Sequence, residues 1–225
     1  MYKKNRNVDV VFCIDETIEG LSNKEINNLI QPFVKKLKEE ILFKGDEIEQ
    51  LRVKIITFSD YLTANKDNLA IKESIFFEIP MDTYNYKDYL DEIKLNKQPS
   101  DKTNGLEALY LAMQSDFVAT KRCDRQIIVL ITGKDALPFQ ERANCPGYPT
   151  DMPKDIEELS AWWMYDQRKS FGLGQKQKRL VIFAPKGTIY DSYVSNHFDQ
   201  AVFLEFNCDN GWEESRLDNI MRLLF

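Results

Sequence analysis

Three short stretches hold the side chains best suited to chemistry. Asp15-Glu16-Thr17-Ile18-Glu19-Gly20 gathers three carboxylates and a hydroxyl within six residues. Ser100-Asp101-Lys102-Thr103-Asn104-Gly105 mixes hydroxyls with one acid and one base, and Thr132-Gly133-Lys134-Asp135 does the same on a smaller scale. Carboxylate and hydroxyl oxygens are the ligands of hard cations: magnesium takes about six oxygens near 2.1 Å, usually from one or two carboxylates with hydroxyls and waters. Magnesium or manganese is therefore one ligand these stretches could hold. In the alternative, an ammonium from Lys134 or Lys102 sits among Asp15, Glu16 and Glu19 in the ion's stead.

Other chemistries lack their parts. His197 is the single histidine, set in Ser195-Asn196-His197-Phe198 with no nucleophile motif beside it, so it reads as structural. Cys13, Cys123, Cys145 and Cys208 show no C-x-x-C spacing and read as reduced, structural thiols, not a zinc site. Gly172-Leu173-Gly174 lacks a third glycine and precedes an apolar run instead of following one, which removes a dinucleotide fingerprint.

The elements that must position these stretches follow from the apolar pattern. Val8 to Ile14, Val53 to Phe58, Gln126 to Thr132, Leu180 to Ala184 and Ala201 to Phe206 are strand-length apolar runs, suited to parallel strands buried on both faces. Ile71 to Ile79 alternates and predicts an antiparallel edge strand. Amphipathic helices are expected over Lys24 to Phe43, Asn104 to Val118 and Trp212 to Leu224. Alternation of this kind makes an α/β, doubly wound, mostly parallel sheet of about six strands with helices on both faces. Each of the three polar stretches then adjoins the end of a strand or the start of a helix, where such sheets bind ligands.

One stretch breaks the rhythm. Between Gly133 and Lys178, Pro138, Pro146, Pro149 and Pro153 stiffen a long loop, and a helix capped by Asp151 should follow, ending near Arg168 and Lys169. Residues 134–178 thus read as an insertion after the central strand of a single domain spanning 1–225. Its Trp162-Trp163-Met164-Tyr165 cluster cannot face one core throughout, because adjacent helical positions point about 100° apart. Ile156, Leu159 and Trp163 form the expected inward stripe, leaving Trp162 or Tyr165 toward a boundary.

With 225 residues, 43% hydrophobic and 29% charged, the chain can bury a full core as one domain. Thirty basic against thirty-six acidic side chains give a net charge of -6, which argues against nucleic acid as partner. The basic patches at Lys35, Lys36 and Lys38 and at Lys176, Lys178 and Arg179 read as solvated surface. Neither a secretory leader nor a membrane span is legible, so the expected location is the cytoplasm.

In these three stretches the chain resembles the von Willebrand factor A family, whose metal-ion-dependent adhesion site draws on D-x-S-x-S, on a threonine in a T-N-x-x-x-A-L-like helix start, and on an aspartate in an L-I-T-D-G-like strand end. Asp15 matches the first aspartate, Thr17 the first serine and Thr103 the threonine. Glu19 stands at the second serine and Gly133 at the last aspartate, so the site is altered. In character the chain is similar to the bacterial intracellular branches, including one associated with tellurium resistance. The resemblance implies a non-catalytic module in a multi-component signalling or stress-defence system. It would bind a protein partner, through an acidic side chain where metal is held by Asp15, Thr17, Glu19 and Thr103. Glu16, Asp101, Lys102, Lys134, Asp135 and Trp162 are the candidate partner contacts. The chain also looks in part like a haloacid-dehalogenase phosphohydrolase, with Asp15 as nucleophile, Thr57 or Ser59 as hydroxyl and Asp135 as magnesium ligand. That family's usual second aspartate is replaced by Thr17.

Overall fold

The computed structural model of the chain describes residues 5–65, 69–118, 124–165, 172–206 and 220–224. Its main strands are β1 (Asn5–Asp15), β2 (Glu47–Phe58), β3 (Ile71–Glu73), β4 (Phe77–Glu78), β6 (Arg125–Ile131), β8 (Lys178–Ala184) and β9 (Ala201–Glu205). A separate two-stranded ribbon pairs β5 (Lys102–Thr103) with β7 (Asp135–Ala136). The helices are α1 (Asn23–Phe43), α2 (Thr83–Glu92), α3 (Gly105–Met113), α4 (Ile156–Met164) and the short α5 (Ser195–His197), which continues a π-helical turn over Tyr190–Val194.

The sheet order is β3-β2-β1-β6-β8-β9, parallel throughout except where β3 and β4 run antiparallel along β2. This is the α/β doubly wound sheet expected from the alternation of apolar runs. The alternation within β1 shows how two faces are built from one strand. Val8, Val10, Phe12 and Ile14 join Ile26, Phe33 and Leu37 of α1, whereas Val11 and Cys13 join Leu109 and Met113 of α3. Burial of both faces explains why β1, β6 and β8 read as continuous hydrophobic runs.

Helix α1 begins where Ser22 accepts a hydrogen bond from Glu25 N (3.2 Å), a side-chain cap for one of the first free N–H groups. Its bounds fall within a residue of those read from the periodicity. Helix α3 ends at Met113, five residues before the expected Val118. The bidentate Arg52–Asp9 pair (2.8 and 2.7 Å) causes this early end: Arg52 also binds Asp116 O (3.0 Å) and Asp9 accepts Val118 N (2.7 Å), drawing the chain off the helical path.

The expected edge strand is split. Ser74 replaces a ladder bond with its hydroxyl, which accepts Ile55 N at 2.9 Å, and pairing resumes only at Phe77. The helix of the insertion starts later than Asp151: Asp155 is its cap and accepts Glu158 N at 2.8 Å, while Glu158 Oε2 accepts Lys154 N at 2.8 Å. This reciprocal pair of side-chain bonds sets the helix start, and Pro153 lies outside it. Helix α2 follows Asp82 and buries Tyr86 and Leu90, with Tyr89 packed against the core edge, too sparse a stripe for the apolar pattern to show. The expected helix end at Arg168 and Lys169, Cys123, Cys208 and most of the helix from Trp212 lie outside the described residues. Residues 220–224 are helical, and Ile220, Met221 and Leu224 pack on the α1 face. Among the described residues no helix is long and apolar enough to cross a membrane.

Candidate functional site

Strand order reverses at β1. Its neighbour β2 follows it in sequence on one side, and β6 arrives from later in the chain on the other. The crevice beyond the carboxyl ends of β1 and β6 is therefore the place where an open α/β sheet receives ligands. Asp15 is the last residue of β1, Thr132 follows β6, and the β5–β7 ribbon brings Lys102-Thr103 against Asp135-Ala136, with Leu137 N donating to Thr103 O at 2.9 Å. The fold thus brings all three polar stretches to one rim.

Asp15 is wholly buried, and both its oxygens are occupied. Oδ1 accepts the Thr17 amide (2.8 Å) and hydroxyl (2.7 Å), and Oδ2 accepts the Thr132 hydroxyl (2.7 Å). Burial pushes its carboxyl above the ordinary range, opposed by the Thr132 and Thr17 bonds and by the nearby Lys134 ammonium. Lys134 is tied to the same point, since its amide donates to Thr132 Oγ1 (3.1 Å), and its Nζ donates to the carbonyl of Ser100. Its ammonium therefore joins the end of β6 to the segment ahead of Thr103, beside Asp15.

The remaining candidates separate. Glu16 is fully buried and faces inward, so it offers no surface to a partner. It accepts the Thr57 hydroxyl at 2.5 Å, the Lys72 ammonium at 2.6 and 2.8 Å, and Asn96 N. Lys72 stands opposite Thr57 across the β2–β3 pairing, which is why its cation meets Glu16. Glu19 is exposed and has no hydrogen bond into the rim; Asp101 is also exposed. Asp135 binds Lys102 Nζ (2.9 Å) and the amides of Ile189 (2.8 Å) and Ala136 (2.9 Å). Burial alone would raise its carboxyl, but these bonds hold it below the ordinary range. Trp163 is buried as expected. Trp162 is half-buried against the Tyr110 ring (centroids 5.4 Å apart), on the flank of α3 and not among the rim loops, and Tyr165 is exposed.

A buried polar cluster under the rim escaped the sequence reading. Glu107, in the first turn of α3, accepts the hydroxyl of Tyr148, from the chain between β6 and β8, at 2.9 Å through Oε1, while Oε2 has no partner. Burial raises its carboxyl to about 7. Asn104 Oδ1 accepts Tyr61 N (3.0 Å), but its Nδ2 faces Glu107 without an aligned bond; Thr103 Oγ1 and Tyr190 Oη are likewise buried and unpartnered. Tyr190 Oη lies so close to Gly105 that a Cβ there would stand 2.0 Å from it. The chain between β6 and β8 is fastened nearby by Arg142, which grips Asp60 with two bonds (2.8 and 3.0 Å). Beside Lys102 and Asp135 an apolar cleft of about 320 Å³ opens between the ribbon and the start of α4, floored by Leu106, Ala136, Leu137, Phe139 and Ile156.

These residues do not suit a divalent cation in the form the resemblance implies. Asp15 is the one carboxylate at the point where the three stretches meet, Gly133 brings no donor, Glu19 stands apart, and an ammonium is held close by. A divalent ion held by Asp15 would also be opposed by the positive charge of that ammonium. Among the described residues no group of three or more histidine, cysteine, aspartate or glutamate side chains is arranged to hold a metal ion.

No family model and no curated protein matches the chain. Solved structures do. The pilus adhesin SpaC from Lactobacillus rhamnosus GG aligns at TM-score 0.51 and 12% identity, covering 99% of this chain and 31% of that one. Proximal thread matrix protein 1 from the mussel byssus aligns at TM-score 0.46 and 9% identity over 99% of this chain and 48% of that one. Its form with a zinc-occupied MIDAS motif aligns at 0.43 and 10%, with the same coverage. The chain spans between about a third and half the length of these proteins. What it shares with the adhesin is the fold, a doubly wound, mostly parallel α/β sheet.

Proposed function

We propose that this chain is a non-catalytic protein-binding module of the von Willebrand factor A kind, which engages a protein partner at the rim formed by residues 15–20, 100–105 and 132–137. The observation that carries this reading is the internal closure of the groups that a phosphohydrolase would leave open. Asp15 has both oxygens occupied by Thr17 and Thr132, Thr57 gives its proton to Glu16, and Asp135 is held by Lys102 and Ile189. A carboxylate nucleophile needs a free oxygen aimed at its substrate. What the rim does present is exposed charge at Glu19, Asp101 and Lys102 beside an apolar cleft, a combination that suits a protein side chain with a polar surround.

The adhesive role of SpaC, which shares the fold, supports the same reading. Free thiols at Cys13 and Cys145 suit a reducing cytoplasm. We place the module there, within a multi-component bacterial signalling or stress-defence system.

Affinity capture with Asp101→Arg and Lys102→Glu at the rim, against Glu39→Arg on α1 as control, tests the assignment. The rim variants should lose the captured partner while the control retains it. Magnesium-dependent turnover of a generic phosphate ester that disappears in Asp15→Asn would overturn it in favour of the phosphohydrolase.

A further inference from the structure

Lys134 occupies the position from which a cation would act on all three stretches. Its amide is fixed by the same Thr132 hydroxyl that donates to Asp15, and its Nζ donates to Ser100 O, two residues before the Lys102-Thr103 strand. Lys102, the other lysine of the rim, is engaged by Asp135 at 2.9 Å. We propose that the Lys134 ammonium is the built-in cation of this site, supplying from the Ser100 carbonyl the positive charge that the resemblance assigns to a divalent ion, so that the rim is assembled without metal.

The chemistry is self-consistent. Asp15 and Lys134 cancel in formal charge, the hydroxyls of Thr17 and Thr132 satisfy the buried carboxylate, and the ammonium bridges two loops that would otherwise meet only through the β5–β7 ribbon. A buried carboxylate whose two oxygens are already filled by hydroxyls and an amide, with an ammonium near enough to favour its charged form, leaves little charge for a second cation to neutralise. The pair at 133 and 134 carries the difference: an acid followed by a small residue would leave two carboxylates facing each other across the switch point, whereas glycine followed by lysine leaves one carboxylate and one ammonium. A partner's carboxylate would then meet the spare N–H donors of Lys134 and not an open coordination position. The inference concerns the same rim as the proposed binding function but is tested on the isolated chain, so either can fail alone.

Manganese titration of the full chain, by calorimetry and by the loss of the free-ion electron paramagnetic resonance signal, is the test. Wild type and Asp15→Asn should both show no saturable binding into the millimolar range. The double variant Gly133→Asp/Lys134→Gly should bind at least about tenfold more tightly and should melt higher when manganese is added. Gly133 lacks the left-handed backbone of Gly20 and Gly45, so a side chain there carries no penalty of that kind. Melting curves confirm folding; if the double variant is unfolded, Lys134→Gln, which removes the ammonium and keeps a donor for Ser100, should show a smaller gain in the same direction. Saturable manganese binding by wild type that Asp15→Asn abolishes would overturn the proposal, as would a folded Lys134 variant with no gain.

Discussion

At the scale of single residues, Gly105 and Tyr190 approach each other closely. The tyrosine hydroxyl fills the space a Cβ would need and makes no hydrogen bond of its own. Gly105→Ala should therefore destabilise by overpacking, at about 1–3 kcal/mol. Tyr190→Phe should be close to neutral or stabilising, because it removes a buried hydroxyl that no group satisfies. In the double variant most of the loss should be recovered, since the clashing oxygen is gone. Urea denaturation of the four proteins measures this cycle, and purely additive effects would show that the close approach does not govern the site. Nothing in the local sequence marks Tyr190 as the neighbour of Gly105. The two meet because the π-helical turn after β8 packs over the start of α3, and only the folded chain brings positions 85 apart into contact.

At the scale of elements, the proline-rich part of the chain between β6 and β8 is held to the body by Arg142 on Asp60 and Tyr148 on Glu107, ahead of a helix whose Leu159 and Trp163 enter the core and whose Trp162 packs on Tyr110. Burial alone would raise the Asp60 carboxyl, but Arg142, Leu62 N and Ser100 hold it below its usual 3.8. The stability of this latch is thus present above that range and is lost as pH falls through the depressed value. Arg142→Ala should cost about 1.5–3 kcal/mol, the usual worth of charge-assisted bonds. It should speed chymotryptic cleavage around Phe139 and Tyr148, with Arg142→Lys intermediate; unchanged cleavage would mean that the latch does not hold the segment. The helix α1 and the central strands were legible in sequence because their burial is periodic or complete. The end of α3, the break in the edge strand and the start of α4 were displaced because side-chain bonds from Arg52, Ser74 and Glu158, and not apolar spacing, set them.

At the scale of the whole molecule, Glu107 should shape how stability depends on pH. Burial raises its carboxyl from 4.5 to about 7, so across that window the folded chain holds a proton that the unfolded chain has released. Stability from this group is greatest below about 4.5 and declines as pH rises to 7, by at most about 3 kcal/mol for a shift of this size. The raised Asp15 carboxyl acts with the same sign, and Asp60 and Asp135, held low, act oppositely at more acid pH. The pH of greatest stability should therefore be mildly acidic. Glu107→Gln should reduce the slope between pH 5 and 8 and should be more stable than wild type at pH 8; urea midpoints across that range decide it, and equal slopes would remove Glu107 as the cause.

The sequence by itself determined the class of fold, the identity of the strands that meet at the switch point, and the three stretches that form the rim, because buried parallel strands must be apolar throughout and polar residues at their ends have one place to go. Tertiary structure alone decided what each rim residue does. Asp15 and Glu16 are adjacent in sequence, yet one closes on Thr17 and Thr132 at the crevice while the other turns inward to Lys72 and Asn96. Successive residues leaving a strand point to opposite sides, and their partners come from parts of the chain tens of residues away. For the same reason the position of Lys134, on which the charge of the site turns, could be named as a candidate from sequence but assigned only once Ser100, Thr132 and Asp15 were brought around it.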